Sequence, residues 1–214
     1  MWVDAGPGSL AELLRHVSLS SLDAVWISHL HLDHVGDLLN AYYALAYGEL
    51  PARAAPLPVF APAGLTDRLT GFFGPGFEEG FLDVRPLSDG HVVHLDELTL
   101  LSRSVDHGGP EAYALRVSVG ERVLAYSGDC TPCAALDEVA VGADVLLCEA
   151  NDPEPNAFHH TPAEAGALAR RTGAHHLVVT HVGPLLTPES ATEQAASAFG
   201  GPTTHADLAA TFTF

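Results

Sequence analysis

The sequence predicts an α/β fold on three observations. Short β-rich apolar segments alternate irregularly with helical patterns, threonine–proline pairs stand where helices would open, and 214 residues with 47% hydrophobic side chains suffice for one sizeable core. A single domain over residues 1–214 is expected, with no repeat and no interdomain linker. Strands are predicted at 24–28, 98–105, 112–119, 122–127, 145–148 and 177–180, and the first of them carries the apolar run Ala24-Val25-Trp26-Ile27. Helices are predicted at 36–47, 65–73, 132–139, 162–171 and 188–199. The last three follow Thr131, Thr161 and Thr187, each a cap residue followed by a proline suited to the first turn, and Thr161-Pro162-Ala163-Glu164 also fits a capping box. The Pro/Gly-rich stretch from Pro51 to Gly80 reads as loop plus one short helix, suited to form a pocket wall.

Composition excludes several classes of function. The formal net charge is -18 and the nine basic residues are all arginines, so there is no basic stripe to displace counterions from a nucleic acid. No apolar run reaches the roughly 18 residues of a membrane span, and Met1-Trp2-Val3-Asp4 lacks the basic opening of a secretory signal. Cys130, Cys133 and Cys148 are too few and odd in number for a disulfide framework. A cytoplasmic protein without a membrane partner is therefore expected.

The chemistry concentrates in Ser28-His29-Leu30-His31-Leu32-Asp33-His34, directly after the first predicted strand. In an extended segment residues two apart share a side, so His29 and His31 can serve one site while the chain turns and brings Asp33 and His34 to an adjacent one. So many ligand types in so short a stretch suggest two metal ions. A solvated turn is the bland alternative. Further candidates stand just past later apolar runs: His107, Asp129 and His181. Each alone is as well read as a loop histidine or a helix-terminal carboxylate, but recurrence after three strands points to ligation. Cys130-Thr131-Pro132-Cys133 has redox-motif spacing without a thioredoxin-like context, and the remaining histidines fit no ligand pattern.

Seven segments, in this order, carry a family resemblance: Asp4–Gly8 (DAGPG), HLHLDH at 29–34, DHGGPEAYALR at 106–116, YSGDCTPC at 126–133, CEA at 148–150, HHT at 159–161 and THVG at 180–183. Together they span nearly the whole chain, which resembles the metallo-β-lactamase superfamily and, within it, the ribonuclease Z-like hydrolases. The resemblance implies an αββα sandwich. It implies one zinc held by His29, His31 and His107, another by Asp33, His34 and His181, and Asp129 as the bridge, with manganese or iron(II) as alternative metals. Asp4 becomes a carboxylate that steadies the metal loops, and Asp33, Glu149 and His159 form the catalytic set.

Paired divalent ions supply a water of lowered pKa and polarise the oxygen under attack, which suits an ester, lactone, thioester or phosphodiester alike. His159-His160-Thr161 looks like the ribonuclease Z-type element whose histidine contacts the scissile phosphate and is oriented by a glutamate. The spacing favours His159 as the inward-facing histidine, and His160→Ala is expected to leave turnover nearly unchanged; a plain helix cap at Thr161 is the alternative. Two departures qualify the resemblance. The chain has no room for the basic arm with which that family grips transfer RNA, so a small phosphodiester such as a cyclic nucleotide is expected and transfer RNA is not. The matching region also starts at Trp2, so the family's first two strands are expected to be missing, or to lie upstream of this start. A carboxylic ester or lactone hydrolase, an inactive metal-binding protein, and a homodimer are the further expectations carried forward.

Overall fold

The computed structural model describes residues 1–48, 53–77 and 80–213, in two compact units, Met1–Leu87 and Ser88–Phe214. The first unit runs β1 (Trp2–Val3), α1 (Ser9–Leu13), a single 3-10 turn (Leu19–Ser21), β2 (Val25–Trp26), α2 (Leu32–Tyr47), β3 (Leu57–Ala61), α3 (Leu65–Phe73) and β4 (Leu82–Pro86). Its four strands lie in the order β1-β2-β3-β4, all parallel. Parallel strands are covered on both faces, and Val25, Trp26, Leu57, Val59, Phe60 and Leu82 are accordingly buried. Within 51–80 the structure adds β3 to the expected helix. Pro58 masks the strand signal there, although Leu57, Val59 and Phe60 are its buried residues. Residues 51, 52, 78 and 79 of that stretch lie outside the described residues. Leu65, Leu69 and Phe72 of α3 do line an apolar cleft of about 150 Å³ together with Leu30, Val35 and Leu39.

The second unit continues with β5 (His91–Leu95), β6 (Leu98–Val105), β7 (Ala112–Val119), β8 (Arg122–Tyr126), α4 (Ala134–Ala140), β9 (Val145–Glu149), α5 (Pro162–Thr172), β10 (His176–Thr180), α6 (Pro188–Phe199) and β11 (Thr203–His205). The sheet order is β11-β10-β9-β8-β7-β6-β5. β5 to β8 pair antiparallel and β8 to β11 parallel. It follows that β6, β8, β9 and β10 run in one direction and end at the same edge of the sheet, which is where a parallel arrangement collects loop residues into a site.

Helices α5 and α6 cover the sheet with small and aliphatic side chains. Ala165, Leu168, Ala169 and Thr172 make the buried stripe of α5 at helical spacing, and Ala191 and Ala195 that of α6. The two helices meet at Gly166, where a Cβ would stand 2.2 Å from the Ala195 carbonyl oxygen and 2.8 Å from the Ala198 Cβ. Thr161 closes a capping box with Glu164, and Thr187 accepts from the Ser190 amide at 3.2 Å. The third threonine–proline pair behaves differently: the Thr131 amide is bound to the Asp106 carbonyl at 2.8 Å, and α4 starts only at Ala134 with Cys133 as its cap. Among the described residues no helix is long and apolar enough to cross a membrane.

Candidate active site

In the first unit the histidine-rich stretch is extended only as far as His31, which is the N-cap of α2. The helix begins at Leu32, four residues earlier than position 36 where the sequence pattern suggests, because an aspartate in the first turn favours helix initiation as well as ligation. Asp33 and His34 therefore project from that first turn. The His29 Nε2 and His31 Nδ1 lie 3.0 Å apart, and the rings of His29 and His34 are 4.1 Å apart between centroids. The Asp33 Oδ2 is 3.6 Å from the His34 Nε2. Thus His29, His31, Asp33 and His34 are brought together.

A carboxylate organises them. Asp4, in the left-handed region with φ of 52°, accepts from the Ser28 amide and hydroxyl, both at 2.7 Å, and stands 2.7 Å from the His34 Nδ1. This fixes the His34 ring with Nε2 turned away from Asp4 and toward Asp33, the arrangement by which carboxylates orient metal-binding histidines. Gly6 is required beside it, since a Cβ there would come within 1.9 Å of the Asp33 carbonyl oxygen. Ser28 and Asp37, whose Oδ2 accepts the Leu10 amide at 2.9 Å, carry no motif that sequence reasoning could use.

In the second unit His107, Asp129 and His181 follow the ends of β6, β8 and β10, and Glu149 is the last residue of β9, the four strands sharing a direction. His107 and Asp129 are buried at 2% exposure each, so both are committed to a specific environment. His107 donates from Nδ1 to the Phe158 carbonyl at 2.7 Å, which leaves Nε2 as the lone-pair nitrogen. His181 brings its Nε2 to 3.4 Å from the Asp129 Oδ2, while its Nδ1 is 2.9 Å from the side-chain Nδ2 of Asn151. It does so at φ of 48°, a left-handed conformation unusual for a non-glycine residue and found where function overrides backbone preference.

Glu149 is fully buried. Its Oε1 accepts the Cys130 amide at 2.6 Å and its Oε2 lies 2.8 Å from the His159 Nδ1. The hydrogen bond to Glu149 raises His159 above the ordinary imidazole range, outweighing the opposite effect of burial, and the Asp129 charge acts in the same direction. The His159 ring sits between those of His107, 5.1 Å away, and His181, 5.5 Å away. Glu149, His159 and His181 have ligand atoms within 4.8 Å of one another.

His160 points the other way. It is wholly buried, donates from Nδ1 to the Cys130 carbonyl at 2.6 Å, and burial lowers its pKa. Its hydrogen bond ties the residue before the α5 cap to the loop that carries Asp129. Asn151 and Asn156 in the connecting loop were also missed, because loop asparagines are common and only their partners distinguish them.

The chain matches the β-lactamase superfamily domain over residues 1–182. It belongs to the metallo-β-lactamase superfamily. An uncharacterised protein of Mycobacterium tuberculosis is 34% identical over 211 residues, covering 94% of this chain and 76% of that protein. A ribonuclease Z of Mycolicibacterium paratuberculosis is 30% identical over 213 residues, 86% of this chain and 76% of its own. The metallo-β-lactamase fold protein YhfI of Bacillus subtilis superposes with a TM-score of 0.84 at 23% identity, covering 96% of this chain and 83% of that one. The fold class read from the sequence is therefore that of the superfamily, and the protein is a metal-dependent hydrolase related to ribonuclease Z. Members of the superfamily use divalent metal cofactors, and the imidazole and carboxylate donors held in each unit fit such ions.

Proposed function

We propose that this hydrolase is a dinuclear zinc phosphodiesterase acting on a small phosphodiester such as a cyclic nucleotide. The residue assignment rests on the family resemblance: His29, His31 and His107 for one ion, Asp33, His34 and His181 for the other, Asp129 between them, and Asp33, Glu149 and His159 in the reaction. Two such ions supply a water acidic enough to ionise near neutral pH and offset charge on the oxygen under attack. The observation that carries the phosphodiester reading is the pair formed by His159 and the buried Glu149 at 2.8 Å. Glu149 holds the His159 Nδ1 and favours the charged ring, so the His159 Nε2 is oriented to donate to a phosphate oxygen or a departing alkoxide. A carboxylic ester with a good leaving group needs no such donor.

Several observations support a small substrate in place of transfer RNA. With a net charge of -18 and no lysine, the chain lacks the cations that bind a long polyanion. The three cysteines are free thiols, in keeping with a cytoplasmic location. A homodimer belongs to the same reading, tested by sedimentation. The function itself is tested by assaying the zinc-loaded protein against bis(4-nitrophenyl) phosphate and cyclic nucleotides, beside 4-nitrophenyl acetate and a lactone. Faster turnover of the phosphodiesters is expected and should disappear on chelation. Faster turnover of the ester or lactone would replace this reading with a carboxylic ester hydrolase, and full metal occupancy without any turnover would point to a binding protein.

A further inference from the structure

Between β9 and α5 the chain makes a loop in which one side chain touches the supports of two histidines. The Asn156 Oδ1 accepts the amides of both Phe158, at 2.7 Å, and His159, at 3.0 Å. Its Nδ2 donates to the Asp152 Oδ2 at 2.8 Å and to the Glu154 carbonyl at 3.3 Å. The residue so fixed, Phe158, is the one whose carbonyl takes the His107 Nδ1 proton at 2.7 Å. Its ring lies on Gly108, where a Cβ would fall 2.3 Å from the Phe158 Cδ1, so the loop is seated directly on the segment that carries His107. The next residue, His159, reaches the Glu149 Oε2 with its side chain.

We infer that Asn156 is a positioning residue which sets, through one carbonyl oxygen, both the tautomer of His107 and the placement of His159. An asparagine that accepts backbone amides two and three residues ahead is a common turn device, and on that ground alone it would be structural. What distinguishes this one is where the two amides lead. Holding Phe158 aims its carbonyl at the His107 Nδ1, and a histidine whose Nδ1 proton is committed presents Nε2 as its lone pair. Holding His159 keeps its ring within reach of Glu149. The inference rests on the proposed function for what the two histidines do, and not for how they are held.

Asn156→Ala removes the acceptor, whereas Asn156→Asp, made together with Asp152→Asn so that two carboxylates do not face each other, keeps an oxygen for both amides and loses the Asn156 Nδ2 donors. Three readouts on the 214-residue chain separate the cases: imidazole nitrogen NMR of His107 in the metal-free protein, Zn²⁺ affinity by chelator competition, and kcat with KM on bis(4-nitrophenyl) phosphate. For Asn156→Ala we expect loss of the single Nδ1-protonated signature of His107, zinc binding weaker by roughly tenfold, as when an outer partner of a ligand is removed, and a fall in kcat at little-changed KM. Asn156→Asp with Asp152→Asn should restore all three. The inference is overturned if Asn156→Ala keeps the His107 signature and wild-type zinc affinity, or if the paired substitution falls with it, which would assign the effect to the Nδ2 contacts. A wild-type protein that binds zinc and cleaves no phosphodiester would sink the proposed substrate alone, since the NMR and affinity readouts still decide the part played by Asn156. If the wild type binds no zinc, the NMR comparison decides it.

Discussion

Glu149 uses its two oxygens for different purposes, one to anchor the Cys130 amide and one to hold and charge His159. Because the pKa of His159 is raised chiefly by that second contact, its protonated form persists to higher pH than an ordinary imidazole would allow. A reaction that needs protonated His159 therefore slows as pH rises through the raised value. Glu149→Gln removes the charge that raises it, so the alkaline fall of kcat should move to lower pH; a pH–rate profile with an unmoved alkaline limb would contradict the assignment. His160 makes an opposite case. Its Nδ1 satisfies the buried Cys130 carbonyl, and His160→Ala should cost about 1–3 kcal/mol for the acceptor left unpaired. Denaturant unfolding measures this directly, and an unchanged midpoint would remove His160 from the frame of the site.

Among the elements, α5 and α6 approach closely at Gly166. Gly166→Ala would ordinarily gain about 1 kcal/mol of helix propensity. Here the new Cβ meets a backbone carbonyl at 2.2 Å, which can yield only if the helices part. Overpacking of this kind costs about 1–3 kcal/mol, so the substitution should lower the thermal midpoint; a rise would show that the helices separate freely. Such close approach is not legible in the sequence, where Gly166 is one small residue in an alanine-rich helix. What is legible follows from local chemistry: 98–105 and 112–119 are strands, 65–73 and 188–199 are helices, and Thr161 caps α5 with the expected box. The elements missed are β1, α1 and β11, which are short, β3 and β4, which carry Pro58 and Pro86, β5, whose apolar residues are framed by His91 and His94, and the start of α2 hidden in the ligand motif. For the site the distinction is similar. Histidines and aspartates after apolar runs are visible as a recurring pattern, while Ser28, Asn151 and Asn156 matter only through partners far along the chain or around a turn.

For the molecule as a whole, the superfamily assignment makes a hydrolase and the strand directions explain how four separate loops of the second unit contribute to one edge. The number of metals is the next quantity to fix. If Asp129 is shared between two ions, Asp129→Ala should reduce bound metal from about two per chain and abolish turnover, because both ions lose an anionic ligand. Elemental analysis of the substituted protein decides this, and retention of both ions with full activity would take Asp129 out of the centre. The proposed phosphodiesterase activity turns on His159. The most direct measurement is kcat for His159→Ala on a series of phosphodiesters of graded leaving-group pKa, with metal content determined on the same samples. A loss of roughly 10²–10³-fold is expected, as for removal of one transition-state donor, largest for the poorest leaving group and with metal content unchanged. Phosphodiester cleavage that survives His159→Ala at the wild-type rate across the series would contradict it and leave His159-His160-Thr161 as the cap of a helix.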